Sequence, residues 1–195
     1  MNFFKKIKDA KSHWKNYKDS LKKENYWFHF IVDWIETIVV ALVLALLIRH
    51  FIIMTSIVPT GSMIPTFKIN DRLFVNKFIY RFTTPERGDI VVFKSPKKDK
   101  NDYVKRCIGL PGDTIEIKKG IVYINQLPLS LPGVNIQRDY DYKSEITVPD
   151  NQYYVLGDNR ANSLDSRYWG FVPKENLVGK ALFTFWPLNR MRILR

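Results

Sequence analysis

The chain has a single cysteine, Cys107, in 195 residues. No intrachain disulfide is available, so bridges say nothing about its compartment. A CxxC redox pair and a cysteine-and-histidine zinc site are excluded as well, and no metal or cofactor is expected. Histidine is nearly as scarce. His13, His29 and His50 all lie in the N-terminal quarter. If Ser62 is a nucleophile, this distribution points to a base other than imidazole, and a lysine is the best alternative. Internal repeats are absent, and so is any low-complexity tract beyond a lysine-rich start.

Acidic charge is also in short supply. The net charge is +12 at pH 7, which raises nucleic acid and anionic membranes as partners. The distribution decides between them. Residues 1–27 carry eight lysines against Asp9, Asp19 and Glu24. Directly after them, Thr37 to Ile48 is uncharged and mostly aliphatic. That stretch alone is short of the roughly 20 residues of a spanning helix. Apolar character continues on both sides, through Phe28–Val32 and Phe51–Met54. A span near Trp34–Met54 is long enough if Glu36, Arg49 and His50 reach toward the interfaces. Tyr26, Trp27 and Trp34 suit a headgroup belt. A buried core helix or the core of a removed signal peptide would also be apolar. Against the second, Phe51-Ile52-Ile53-Met54-Thr55 offers no small-x-small cleavage site. The expected organisation is a basic cytoplasmic segment over 1–30, an anchor over 31–54 and a domain over 55–195. The positive-inside rule keeps the lysines in the cytoplasm and sends the domain across the membrane. A nucleic-acid partner rests on net charge alone, lacks a motif and is not expected.

Beyond Met54 the pattern changes from helical to β. Arg72–Phe78, Asp89–Lys94, Tyr103–Ile108, Thr114–Ile117, Ile121–Ile124, Tyr153–Leu156 and Leu182–Trp186 are short β-branched or aromatic runs. Turn signals separate them: Pro85 to Gly88, Pro111 to Asp113, Lys118 to Gly120, and Pro132-Gly133. The domain reads as mostly β, with a hairpin over Ile115–Ile124. Leu127–Glu145 is polar and irregular, an excursion from the main sheets.

Four segments carry chemical interest. In Val58-Pro59-Thr60-Gly61-Ser62-Met63-Ile64-Pro65, two prolines and a glycine hold Ser62 in a stiff, non-helical turn. The Ser62 amide and the Thr60 hydroxyl are candidate donors to an oxyanion. Asp102 to Asp113 contains a strand in which Tyr103, Lys105 and Cys107 share one face. Lys105 thus has uncharged neighbours, and desolvation favours its neutral amine. Gly157 to Gly170 is dense in groups that orient one another: its carboxylates can pair with Arg106 or Arg167, and a serine hydroxyl can fix Lys105. Arg87 to Phe93 is a turn followed by a buried strand. Taken singly, each has an ordinary structural explanation, such as a surface lysine or a solvated Asx-rich loop.

In this order behind an apolar helix, the four segments resemble the bacterial signal peptidase I family of membrane-bound serine peptidases. The similarity runs from the anchor to about Pro187. It implies a β domain of two coiled antiparallel sheets behind a single transmembrane helix, and an enzyme of the bacterial cell (inner) membrane that removes signal peptides from secretory precursors. On this resemblance Ser62 is the nucleophile and Lys105 the general base. Thr60 assists the oxyanion hole, and Ser163 orients the lysine. Arg106, Asp158, Asp165 and Arg167 support the site. Val58, Met63, Phe67, Tyr103 and Val104 fall near substrate-pocket positions, with small residues selected at −1 and −3. Ala161 and Cys107 stand where the family often has aspartate and an aliphatic residue.

The implied partners are secretory precursors and membrane lipid. Ser62 lies eight residues past Met54, so extended chain keeps it within about 25–30 Å of the bilayer core, the depth at which a precursor presents its cleavage site. A Ser/Lys relative with a dedicated substrate is one rival. A self-cleaving repressor is disfavoured because no DNA-binding helix pair precedes Ser62. A non-catalytic anchored binding module is the other rival, and it has no need of Ser62, Lys105 and Ser163 together.

Overall fold

The computed structural model describes residues 9, 11–17, 26–96, 101–131 and 143–194. Most of the lysine-rich start, and the turn expected at Pro132-Gly133, lie outside these residues. The chain divides into two compact units, Met1–Arg49 and His50–Arg195.

Helix α1, Tyr26–Phe51, dominates the first unit. Within it, Phe30–Arg49 is long and apolar enough to cross a membrane, and none of it is buried. A core helix would bury such a surface, and among the described residues nothing covers this one. Near its start, Trp27, Phe30 and Trp34 make successive ring contacts at 6.4 and 5.9 Å. The helix stops before the anchor's expected end at Met54. Ile53–Ile57 forms strand β1 and pairs antiparallel with β2, Arg72–Asn76. The β-branched residues Ile53, Thr55 and Ile57 favour that exchange of helix for sheet.

The second unit is a pair of antiparallel sheets. The larger has the order β1-β2-β11-β3-β4-β9-β10, with β12 added to β11. Its further strands are β3 (Ile90–Lys94), β4 (Asp102–Gly109), β9 (Gln152–Leu156), β10 (Val172–Pro173), β11 (Leu177–Trp186) and β12 (Arg192–Ile193). The smaller runs β7-β6-β5-β8: Leu127–Pro128, Ile121–Ile124, Thr114–Lys118 and Lys143–Thr147. The expected hairpin is β5–β6, registered from Ile115 against Ile124 to Lys118 against Ile121.

Alternation along the strands separates the cores. Val58, Met63, Phe67, Leu73, Val75, Ile90, Val92, Val104 and Ala181 form one. Val91, Phe93, Cys107, Tyr153, Val155 and Val172 form another. Ile108, Ile115, Ile117, Val122 and Leu156 belong to a third, with the small sheet. Each fully buried side chain of this size contributes about 1.5–3 kcal/mol.

Two strands depart from their expected bounds for local reasons. β2 ends at Asn76 because the Asn76 carboxamide oxygen accepts from the amides of Phe78 (2.9 Å) and Ile79 (3.2 Å), starting a 3-10 turn. β11 begins at Leu177, five residues early, despite Gly179. A Cβ at that glycine would strike the Asn76 carbonyl oxygen, so only glycine lets β2 approach there.

Candidate active site

β4 is the spine of the site. It lies between β3 and β9, with Val91 opposite Lys105 and Leu156 opposite Arg106. The chain leaving β9 therefore emerges as Gly157-Asp158 beside these two basic residues. Lys105 is 3% exposed. Its Nζ donates to Ser62 Oγ at 2.6 Å across 43 residues of sequence. The Thr60 hydroxyl donates to the same oxygen at 3.4 Å. Burial pushes the Lys105 amine down from 10.5 to about 8, while Asp165 and then Asp158 draw it back up. An appreciable share is then neutral near physiological pH.

Ser62 sits in a single 3-10 turn, Gly61–Met63, where a non-helical turn was expected. The Ile64 amide closes it onto the Gly61 carbonyl at 3.2 Å, and Pro59 and Pro65 bracket it. The loop after β9 clips onto this turn. The Asn159 amide donates to the Ser62 carbonyl at 3.0 Å, and its side-chain Nδ2 donates to the Gly61 carbonyl at 3.1 Å. Gly157 permits the approach: a Cβ there would lie 2.5 Å from the Ser62 carbonyl oxygen and strike the Ser163 hydroxyl.

The charged residues resolve into two buried pairs. Arg106 grips Asp158 through Nε (2.8 Å) and Nη2 (2.6 Å), a bidentate fork. The Thr66 hydroxyl also donates to Asp158. Arg167 grips Asp165 through Nε (2.8 Å) and Nη2 (3.0 Å), and the Gly157 amide donates to Asp165 at 3.0 Å. Arg167 Nη2 also holds the Arg160 carbonyl at 2.6 Å. Asp165 caps the short helix α2, Ser166–Trp169. Arg160 is buried, and desolvation lowers its guanidinium to about 10, so it stays charged at neutral pH.

Seven of the eight catalytic and supporting candidates make direct hydrogen bonds to one another: Ser62 with Lys105, Thr60 with Ser62, and Arg106 with Asp158. Asp165 and Arg167 form the other pair. Ser163 is brought to the site, but its buried hydroxyl has no hydrogen-bond partner among the described residues, and no bond from it to Lys105 forms. Of the pocket candidates, Val58, Met63, Tyr103 and Val104 line a groove of about 450 Å³ that also exposes Ser62 and Lys105. Phe67 does not. It is fully buried in the first core. Asn159, Thr66 and Arg160 also hold the site together, and their residue types alone do not single them out. Asn159 has a visible signal, an amide side chain next to Asp158, but its side-chain partner, Gly61, lies 98 residues away.

The lone thiol offers no rival nucleophile. Cys107 is buried, and desolvation pushes it up to about 12. Among the described residues no cluster of histidine, cysteine, aspartate or glutamate could hold a metal ion.

The chain is similar in sequence to known proteins. The family described as signal peptidase, peptidase S26, matches residues 31–186. A probable signal peptidase I-2 from a Synechocystis species is 46% identical over 169 residues, 83% of this chain and 77% of that protein. Signal peptidase I S of Bacillus subtilis is 43% identical over 173 residues, 83% of this chain and 92% of that protein. A solved signal peptidase I from Enterococcus faecalis is 37% identical, with a TM-score of 0.43, and the alignment covers 50% of this chain and 97% of that one. The chain belongs to the signal peptidase I family, the serine endopeptidases of peptidase S26 that remove signal peptides.

Proposed function

We propose that the chain is a membrane-anchored peptidase that cleaves secretory precursors by a Ser62/Lys105 dyad. The observation that carries this reading is the 2.6 Å contact between Lys105 Nζ and Ser62 Oγ in a buried site, with no histidine in residues 55–195. A lysine that has lost its extra proton keeps that contact and accepts the serine proton instead.

The Ser62 oxygen, deprotonated by Lys105, attacks the scissile carbonyl. The Ser62 amide and the Thr60 hydroxyl hold the oxyanion. Lys105 then returns the proton to the leaving amine as the C–N bond breaks. A water, deprotonated by Lys105, attacks the acyl-enzyme, and Ser62 takes the proton back. Burial supports this role because it penalises the ammonium form before the reaction. Neutralising Arg106 and Arg167 limit how far Asp158 and Asp165 can pull the lysine back toward charge.

The groove beside the dyad supports a substrate bound in extended form along β1 and β4. Val58, Met63, Tyr103 and Val104 form an apolar wall that suits small side chains at −1 and −3. The lysine-rich start and the apolar helix support an N-terminus in the cytoplasm and a domain on the far side of the bacterial inner membrane. The precursor's own signal helix then holds its cleavage site just outside the bilayer.

The test is turnover of a purified secretory precursor by the full chain in detergent. Ser62→Ala and Lys105→Ala should each abolish cleavage at the signal junction. Full turnover by either variant would sink the proposal.

A further inference from the structure

The turn that carries Ser62 runs on into a second concavity, of about 300 Å³, outside the groove. Pro65, Thr66, Lys68 and Asp71 line one side, and Asn189, Arg190, Met191 and Arg192 the other. Three of these side chains are cationic and one is acidic. The acid is already committed. Asp71 is buried, accepts from Arg190 Nε at 2.7 Å, and its second oxygen takes the Lys68 amide at 3.0 Å. It therefore fixes Arg190 in the wall. Lys68 and Arg192 have no ion-pair partner among the described residues. Arg192 is held in place with its guanidinium 6.0 Å from the centre of the Phe67 ring. The concavity thus presents two uncompensated cations and a third that is pinned.

Its surroundings are apolar and exposed. Leu188 is 69% exposed, Met191 55% and Ile193 82%. On the outward side of the large sheet, Ile57 and Trp186 flank Arg72 across three strands. In a neighbouring row, Ile193 lies opposite Phe183, which lies opposite Phe74. A site for a small soluble anion needs cations but no apolar rim. A cation pocket set in exposed leucine, methionine, isoleucine and tryptophan matches the boundary where lipid phosphates meet acyl chains.

We propose that this concavity binds the phosphate of an anionic phospholipid headgroup through Lys68, Arg190 and Arg192, with Leu188, Met191 and Ile193 against the acyl region. The proposal rests on the membrane-anchored reading only for the presence of a bilayer beside the domain. It does not depend on the dyad.

The test uses the full chain in phosphatidylcholine vesicles doped with a phosphatidylglycerol that carries a photoreactive headgroup, with labelled peptides mapped by mass spectrometry. Labelling is expected in the peptides that contain Lys68 and residues 188–193. It should fall about tenfold in Lys68→Glu/Arg192→Glu and less in the neutral Lys68→Gln/Arg192→Gln pair. Both pairs alter exposed side chains, and circular dichroism checks their fold. The N-terminal lysines are unchanged throughout and serve as an internal reference. Labelling confined to residues 1–27, or equal in the wild type and the glutamate pair, would overturn the proposal. Equal competition by free glycerol phosphate would replace the lipid with a soluble phosphate, and competition by an acidic peptide would replace it with a protein segment. Either result overturns the lipid assignment. Precursor cleavage by the glutamate pair in detergent, read in parallel, should match the wild type. Failure of the dyad would show there in Ser62→Ala and Lys105→Ala, with no effect on labelling.

Discussion

Replacing Lys105 by methionine should make the protein more stable near neutral pH while ending its activity. Burial lowers the amine from 10.5 to about 8. At about 1.4 kcal/mol per pKa unit, that gap corresponds to roughly 3 kcal/mol of strain carried by the native state. The side chain is 3% exposed, so solvent screening takes little away. Methionine fills similar volume without a charge, at the loss of the bond to Ser62, worth about 1 kcal/mol. The net gain is about 2 kcal/mol.

The sign follows from linkage. A lowered native value means that the unfolded chain binds a proton first as pH falls. The wild type therefore keeps its full stability above the unfolded value of 10.5, loses it as pH falls toward about 8, and changes no further below that. Denaturant unfolding of both proteins in the same nonionic detergent should show methionine ahead near pH 7.5. The advantage should shrink by about 2 kcal/mol near pH 10. An equal difference at the two pH values would mean that Lys105 titrates alike in the folded and unfolded chain, and the reasoning would fail.

Four further outcomes are expected. The precursor-cleavage rate kcat/KM should rise with pH through an apparent pKa of about 8, by roughly tenfold per pH unit on the acid side; a limb near the ordinary histidine value would contradict a lysine base. Gly157→Ala should lower kcat by about a hundredfold, because its Cβ would displace the Ser62 carbonyl or the Ser163 hydroxyl. Asp158→Asn strands the Arg106 guanidinium in the interior and should cost about 3–5 kcal/mol in unfolding free energy, with partial recovery when Arg106 is made methionine as well. Asn159→Ala loses the bond to Gly61 and should slow kcat with KM nearly unchanged, as expected when the turn loosens and the groove stays intact.

Local pattern made much of this molecule legible before its structure. The hairpin β5–β6 was written in alternating isoleucines around Lys119-Gly120. The face shared by Tyr103, Lys105 and Cys107 followed from strand periodicity, and it is the face that packs with Val91 and Phe93. Other features were hidden for physical reasons. β1 was absorbed into the anchor because Ile53 and Met54 are as apolar as the helix before them. β8 is largely exposed, so it lacks a buried face to alternate with a polar one. The partners of Asp158 and Asp165 could not be told apart, because Arg106 reaches Asp158 through the register of β4 against β9. The fully buried place of Phe67 and the orphaned hydroxyl of Ser163 are likewise products of packing between distant segments.

The most direct measurement of the central claim is acylation itself. The full chain would be reacted with an activated acyl compound and the modified peptide identified by mass spectrometry. A single acyl group is expected on Ser62, formed faster as pH rises through about 8, absent in Ser62→Ala and strongly slowed in Lys105→Ala. Acylation of a different side chain, or of Ser62 at an undiminished rate without Lys105, would contradict it.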